Sequence, residues 1–131
     1  MRALALVACV ALFSCEESSP KPEDPIWGKQ ACAHCSMLVS EKPPAAQVLP
    51  VKGTRKFFDD VGCMVAWEDR EAPQLKARWV RNPVGDGWVD ATTAHYLGGQ
   101  ITPMDFGFLP AEEGISFEEM KTAVRAKAAR R

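Results

Sequence analysis

The chain has 131 residues, with 16 basic side chains against 17 acidic ones and a formal net charge of −1. That length suits one compact domain, or two very small units sharing a core. With charges so evenly balanced, nothing points to nucleic-acid binding, which calls for a basic face. The one long apolar run, Ala3 to Phe13, is too short for an ordinary membrane-spanning helix.

Residues 1–14 read as a secretory signal: Arg2 supplies the positive start, the apolar run follows, and Ser14 precedes Cys15. Leu12-Phe13-Ser14-Cys15 resembles a bacterial lipobox, which implies cleavage before Cys15 and lipidation of that cysteine. The expected product is a lipid-anchored protein of the cell envelope facing the periplasm; an ordinary cleaved signal, leaving Cys15 a bystander thiol, is the alternative. Residues 15–30 are expected to be a flexible tether, because Glu16 to Pro25 is acidic, proline-rich and without apolar periodicity. Residues 31–131 would form the folded part, divided into units of about 31–82 and 83–131.

Within the first unit, Met37 to Val39 reads as a short strand ended by Pro43-Pro44. Ala46 to Val51 and Arg55 to Phe58 read as two strands joined through the turn at Lys52-Gly53-Thr54. Asp59 and Asp60 are placed to cap a helix in which Val61, Met64 and Val65 face the sheet and Cys63 and Trp67 share an adjoining face; Pro73 stops it. Ala77 to Val80 is the next strand. In the second unit, Trp88-Val89 begins a strand, Thr92 to Leu97 fits a short helix or an extended segment, and Phe106 to Leu109 is expected to be a strand. Ser116 and Glu119 have capping-box spacing ahead of a helix whose buried face is Phe117, Met120, Val124 and Ala128. The class is α+β, built from two ββαβ-type units with the second reduced.

The chemistry is concentrated in Cys32-Ala33-His34-Cys35-Ser36-Met37. Cys9 would leave with the signal and Cys15 would carry lipid, so Cys32, Cys35 and Cys63 remain as thiols. An odd number in an exported chain suits one reactive or metal-binding pair plus a single buried structural thiol, Cys63, better than a disulfide framework. Thiolate and thioether donors favour Cu(I). If the segment is extended, Cys35 and Met37 leave the same face. Met is a poor Zn(II) ligand, and His34 sits awkwardly between the thiols as a marginal further donor. Met104, in a short loop bounded by Pro103 and Asp105, is an exposed-ligand candidate from elsewhere in the chain. Two other readings compete: a thiol-disulfide reductase or sulfur-relay protein using Cys32 and Cys35, and a permanent disulfide between that pair.

Taken together, Cys32-x-x-Cys35-x-Met37, Ala46-Gln47-Val48, Phe58-Asp59-Asp60 with Cys63-Met64, Trp88-Val89-Asp90-Ala91 and Thr102-Pro103-Met104 resemble, in order, the blocks of the NosL family. The resemblance implies a non-enzymatic, membrane-anchored Cu(I) chaperone. Its partners would be nitrous oxide reductase, as the copper-requiring recipient, and an ABC-type membrane complex. It carries copper binding over to Cys35, Met37 and Met104, with Cys32 matching only the members that have two cysteines, and it leaves Asp59, Asp60, Cys63, Trp88 and Asp90 as structural. Ser36 and Asp105 stand where the family has glycine, so altered loop geometry is expected there. Leu109 to Glu113 is too short to hold the helix that the family carries in its second unit.

Overall fold

The computed structural model describes residues 18–131. The signal segment, Cys15 and the first tether residues lie outside them. The described residues form an α+β fold of six strands and two helices. In chain order these are β1 (Ala46–Pro50), β2 (Lys56–Phe58), α1 (Val61–Glu71), β3 (Leu75–Arg81), β4 (Trp88–Asp90), β5 (His95–Leu97), β6 (Leu109–Ala111) and α2 (Phe117–Ala128). No helix among them is long and apolar enough to cross a membrane.

The first four strands make one antiparallel sheet in the order β2-β1-β3-β4. Its register pairs Ala46 with Phe58 on one side and with Val80 on the other. Ala46, Val48, Phe58 and Val80 are fully buried and form one hydrophobic cluster with Val61, Met64 and Val65 of α1. The period-2 pattern of the strands thus meets the helical pattern of α1. The helix starts as the sequence predicts: Asp60 caps it by accepting from the Gly62 amide at 2.8 Å. It ends at Ala72, which takes a left-handed φ of 44° immediately before Pro73.

The opposite sheet face carries Gln47 and Trp79, which are cross-strand partners. Gln47 is fully buried, so its amide needs partners. Arg55 Nη1 donates to Gln47 Oε1 at 2.6 Å, and Gln47 Nε2 donates to the Glu23 carbonyl at 2.7 Å. Arg55 also reaches the Lys21 carbonyl, and Trp88 Nε1 donates to Asp24 Oδ1 at 2.8 Å. The described end of the tether is therefore fastened to the sheet from Lys21 onward.

Ala46–Arg81 has the ββαβ order expected of the first unit. The second is reduced to β4, a β5-β6 hairpin and α2. β4 pairs with β3 across the point where the second unit was expected to begin, so the halves share a sheet as well as a core. Three expectations shift. Phe106 to Leu109 is not a strand; pairing begins at Leu109, opposite Leu97. Residues 91–93 form a turn, with only His95–Leu97 extended. Ala128 is exposed, while Phe117, Met120 and Val124 are buried. The capping box of Ser116 and Glu119 is present in both directions. α2 lies against α1, and Arg125 joins them by a bidentate pair to Asp69 at 2.8 and 2.7 Å. That contact holds the Asp69 carboxyl below its usual range.

Candidate metal centre

Two pieces of chain meet at the N-terminal end of α1. One is the cysteine loop, a tight reversal closed by the Ala31–Leu38 bridge and by the Cys32 amide donating to the Met37 carbonyl at 2.7 Å. The Ala33 amide donates to the Phe57 carbonyl and hangs the loop from β2. The other piece is the corner Phe58-Asp59-Asp60 and the first turn of α1, where Cys63 is the third helical residue.

Their meeting brings the sulfurs of Cys32, Cys35 and Cys63 and a carboxylate oxygen of Asp59 within 4.8 Å of one another. The three cysteines of this group are free thiols. Cys32 and Cys63 are buried and Cys35 is partly exposed. The Cys35 thiol donates to both Asp59 oxygens, each at 3.4 Å. Asp59 is 1% exposed and makes no ion pair among the described residues. Three thiols around a buried carboxylate without a basic partner is a donor set that suits a cation, and the group could bind a metal ion.

The thiols are electrically distinct. Cys32 is lowered to about 7, first because the Cys63 thiol hydrogen-bonds to it, and then because the backbone amides of Cys35, Asp59 and His34 do, against the cost of burial. Cys63 is raised far above the usual thiol range by the same hydrogen bond to Cys32, by burial and by the charges around it. Cys35 is pushed up to about 12, mainly by burial, with the neighbouring Cys32 and Asp59 charges adding to it. One thiolate held by two protonated neighbours is the resting pattern this geometry favours.

The sequence-predicted residues divide. Cys32 and Cys35 fall in the group. Cys63, expected to be a solitary structural thiol, and Asp59, expected only to cap, both join it. Capping falls to Asp60 alone. Met37 is 48% exposed. The strand expected to align it with Cys35 is absent, because Cys35 lies in a turn and Ser36 takes a left-handed φ of 67°. His34 lies outside the group of donor atoms; its Nδ1 is 3.2 Å from Arg70 Nη1. Burial and the Arg70 charge lower its pKa. Trp88 stacks on Trp27 at 6.3 Å, and Asp90 accepts from the Thr92 amide and hydroxyl.

Met104 is half-buried against the core, and its loop is docked on the N-terminal end of α1 through Asp60. Asp60 Oδ2 accepts from the Thr102 hydroxyl at 2.6 Å and from the Met104 amide at 3.1 Å. Gly62 makes the docking possible, since a Cβ there would overlap the Phe106 ring. Arg131 closes the far side by donating to the Met104 and Asp105 carbonyls.

Ser36 and Asp105 both adopt left-handed backbone, at φ 67° and 55°, at the two places where the resemblance has glycine. The loops keep a glycine-type conformation with residues that strain it. Ser36→Gly is therefore expected to stabilise the protein by about 1 kcal/mol, read as a higher urea midpoint with an unchanged slope.

Comparison with protein-family models, with curated proteins and with solved structures gives no match.

Proposed function

We propose that this protein is a membrane-anchored Cu(I)-binding metallochaperone, not an enzyme, that delivers copper to an extracytoplasmic copper enzyme such as nitrous oxide reductase, with an ABC-type membrane complex as a further partner. The observation that carries this reading is the convergence of three free thiols beside Asp59 at 4.8 Å or less. Cu(I) takes two to four soft ligands, and this group offers three. The order of the motifs and the lipobox-like end of the signal support the recipient and the anchor at Cys15. Met37 and Met104 would add thioether donors from the two flanking loops. The copper is cargo: it would be held tightly by thiolates and handed on by exchange of one ligand for a partner's.

A second reading, a Zn(II) site, is favoured by Asp59, which completes a four-donor set of three sulfurs and one oxygen. Anaerobic titration of the fully reduced protein against a colorimetric Cu(I) chelator tests the first reading, and parallel titration with Zn(II) tests the second. The expected result is one Cu(I) per chain, not displaced by equimolar Zn(II). Failure to take copper from the chelator removes the chaperone reading. Full affinity in both Met37→Leu and Met104→Leu would remove the thioether donors and leave a thiolate-only carrier.

A further inference from the structure

The three sulfurs are not equivalent in anchorage. Cys63 is fully buried on the first turn of α1, and its amide donates to the Asp60 carbonyl inside the capped turn. Cys32 is 3% exposed, and its amide is fixed by the Met37 carbonyl. Cys35 sits at the solvent side of the same turn, next to the exposed run Ser36-Met37-Leu38. Its sulfur donates to the Asp59 carboxylate at 3.4 Å and also meets the Met37 amide and the Cys32 thiol, all on the side facing the group. An incoming ligand can reach a metal in this group from the Cys35 side, whereas α1, β2 and the core close the sides of Cys32 and Cys63.

Resting on the Cu(I) reading above, we propose that Cys32 and Cys63 are the retaining ligands and that Cys35 is the exchanging one, displaced by a thiol-bearing acceptor that approaches over Met37. The step balances without redox chemistry. The Cu–S bond to Cys35 breaks as a Cu–S bond to the acceptor forms, and copper stays Cu(I). The acceptor thiol gives up the proton that the Cys35 sulfur takes on. Two buried thiolates suffice to hold Cu(I) during the exchange, because two-coordinate Cu(I) is stable with soft donors. Cys63, the cysteine farthest along the chain from the Cys32/Cys35 pair, becomes the ligand that prevents loss.

The test uses the full chain, reduced and loaded with Cu(I). Equilibrium affinity is read with bathocuproine disulfonate, and the rate of copper loss to excess dithiothreitol is followed in parallel. Cys63→Ala and Cys32→Ala are each expected to lower affinity by about a hundredfold or more, since losing a ligand costs at least as much as losing its support. Cys35→Ala is expected to stay within about tenfold of the parent in affinity while releasing copper to the thiol at least as fast, because the position that Cys35 fills is then open to the incoming sulfur. A Cys35→Ala protein that loses as much affinity as Cys63→Ala, or releases copper more slowly than the parent, overturns the assignment.

Because Cys63→Ala opens a small core void, the unmodified protein supplies a second measurement. Iodoacetamide labelling of the copper-loaded chain, mapped by mass spectrometry, should modify Cys35 first and leave Cys32 and Cys63 protected. Labelling of Cys63 before Cys35, or equal protection of all three, overturns the assignment as well. A parent protein that takes up no Cu(I) at all removes the underlying reading, an outcome distinct from uptake with the wrong order of ligands.

Discussion

Asp60→Ala is expected to cost about 3 kcal/mol of stability, measured as a fall in the urea midpoint. One side chain does two jobs here. Its Oδ1 accepts from the Gly62 amide and starts α1, and its Oδ2 holds the Thr102 hydroxyl and the Met104 amide. Asp60 is fully buried, so alanine strands three donors where water cannot replace the carboxylate. Loss of the cap accounts for about 1 kcal/mol, and the stranded donors for the rest. Asp60→Asn should fall between parent and alanine, because an amide has one acceptor oxygen and must turn its NH2 toward either the helix or the loop. The effect should be local as well as global. Amide exchange is expected to accelerate at Met104 and Gly107, the latter tied to Thr102 Oγ1 at 3.0 Å. A variant with the parent midpoint and unchanged exchange would show that the loop is held by other contacts, such as Arg131.

Metal affinity should rise steeply with pH. Metal binds thiolate, so every thiol still protonated must release its proton on loading. Cys35, raised to about 12, and Cys63, raised by its hydrogen bond to Cys32, both hold protons throughout the neutral range. Cys32, lowered to about 7 by that same bond, is largely ionised above neutrality and protonated below it. The logarithm of the Cu(I) affinity is therefore expected to climb by about two per pH unit above neutrality, steepening toward about three below it. Affinities measured across pH 6 to 9, corrected for protonation of the competing chelator, give the slope. A slope near one would mean that a single thiol gives up its proton on loading, which is incompatible with a three-thiolate centre.

The separation between what was legible and what was not follows chain distance. The helices, their caps and the strand pairs of the first unit were readable because each rests on a period or a cap within a few residues. The Asp60 cap, the Ser116–Glu119 box and the alternation in β1 are of this kind. The strand boundary near Leu109 was misplaced because pairing with Leu97, rather than local β-propensity in Phe106 to Leu109, decides where the hairpin begins. At the centre, the Cys32/Cys35 pair was visible as a motif. Cys63 and Asp59 were not, since a cap and a helical core position explained each of them locally. The odd number of thiols did not point past those explanations, since a pair plus a solitary buried thiol satisfies it equally well.

Local patterns in the chain set the class of fold, the caps that start both helices, and the concentration of soft donors in one short loop. They could do so because periodicity, capping and motif spacing act over a turn or two of chain. Which donors meet depends on long-range packing. The Phe57 carbonyl hangs the cysteine loop from β2, and the β2–α1 corner swings Asp59 and the first helical turn beneath it. A thiol in α1 thereby becomes a neighbour of two thiols that precede the sheet. A helical periodicity places Cys63 inside, but it takes strand pairing to say beside what.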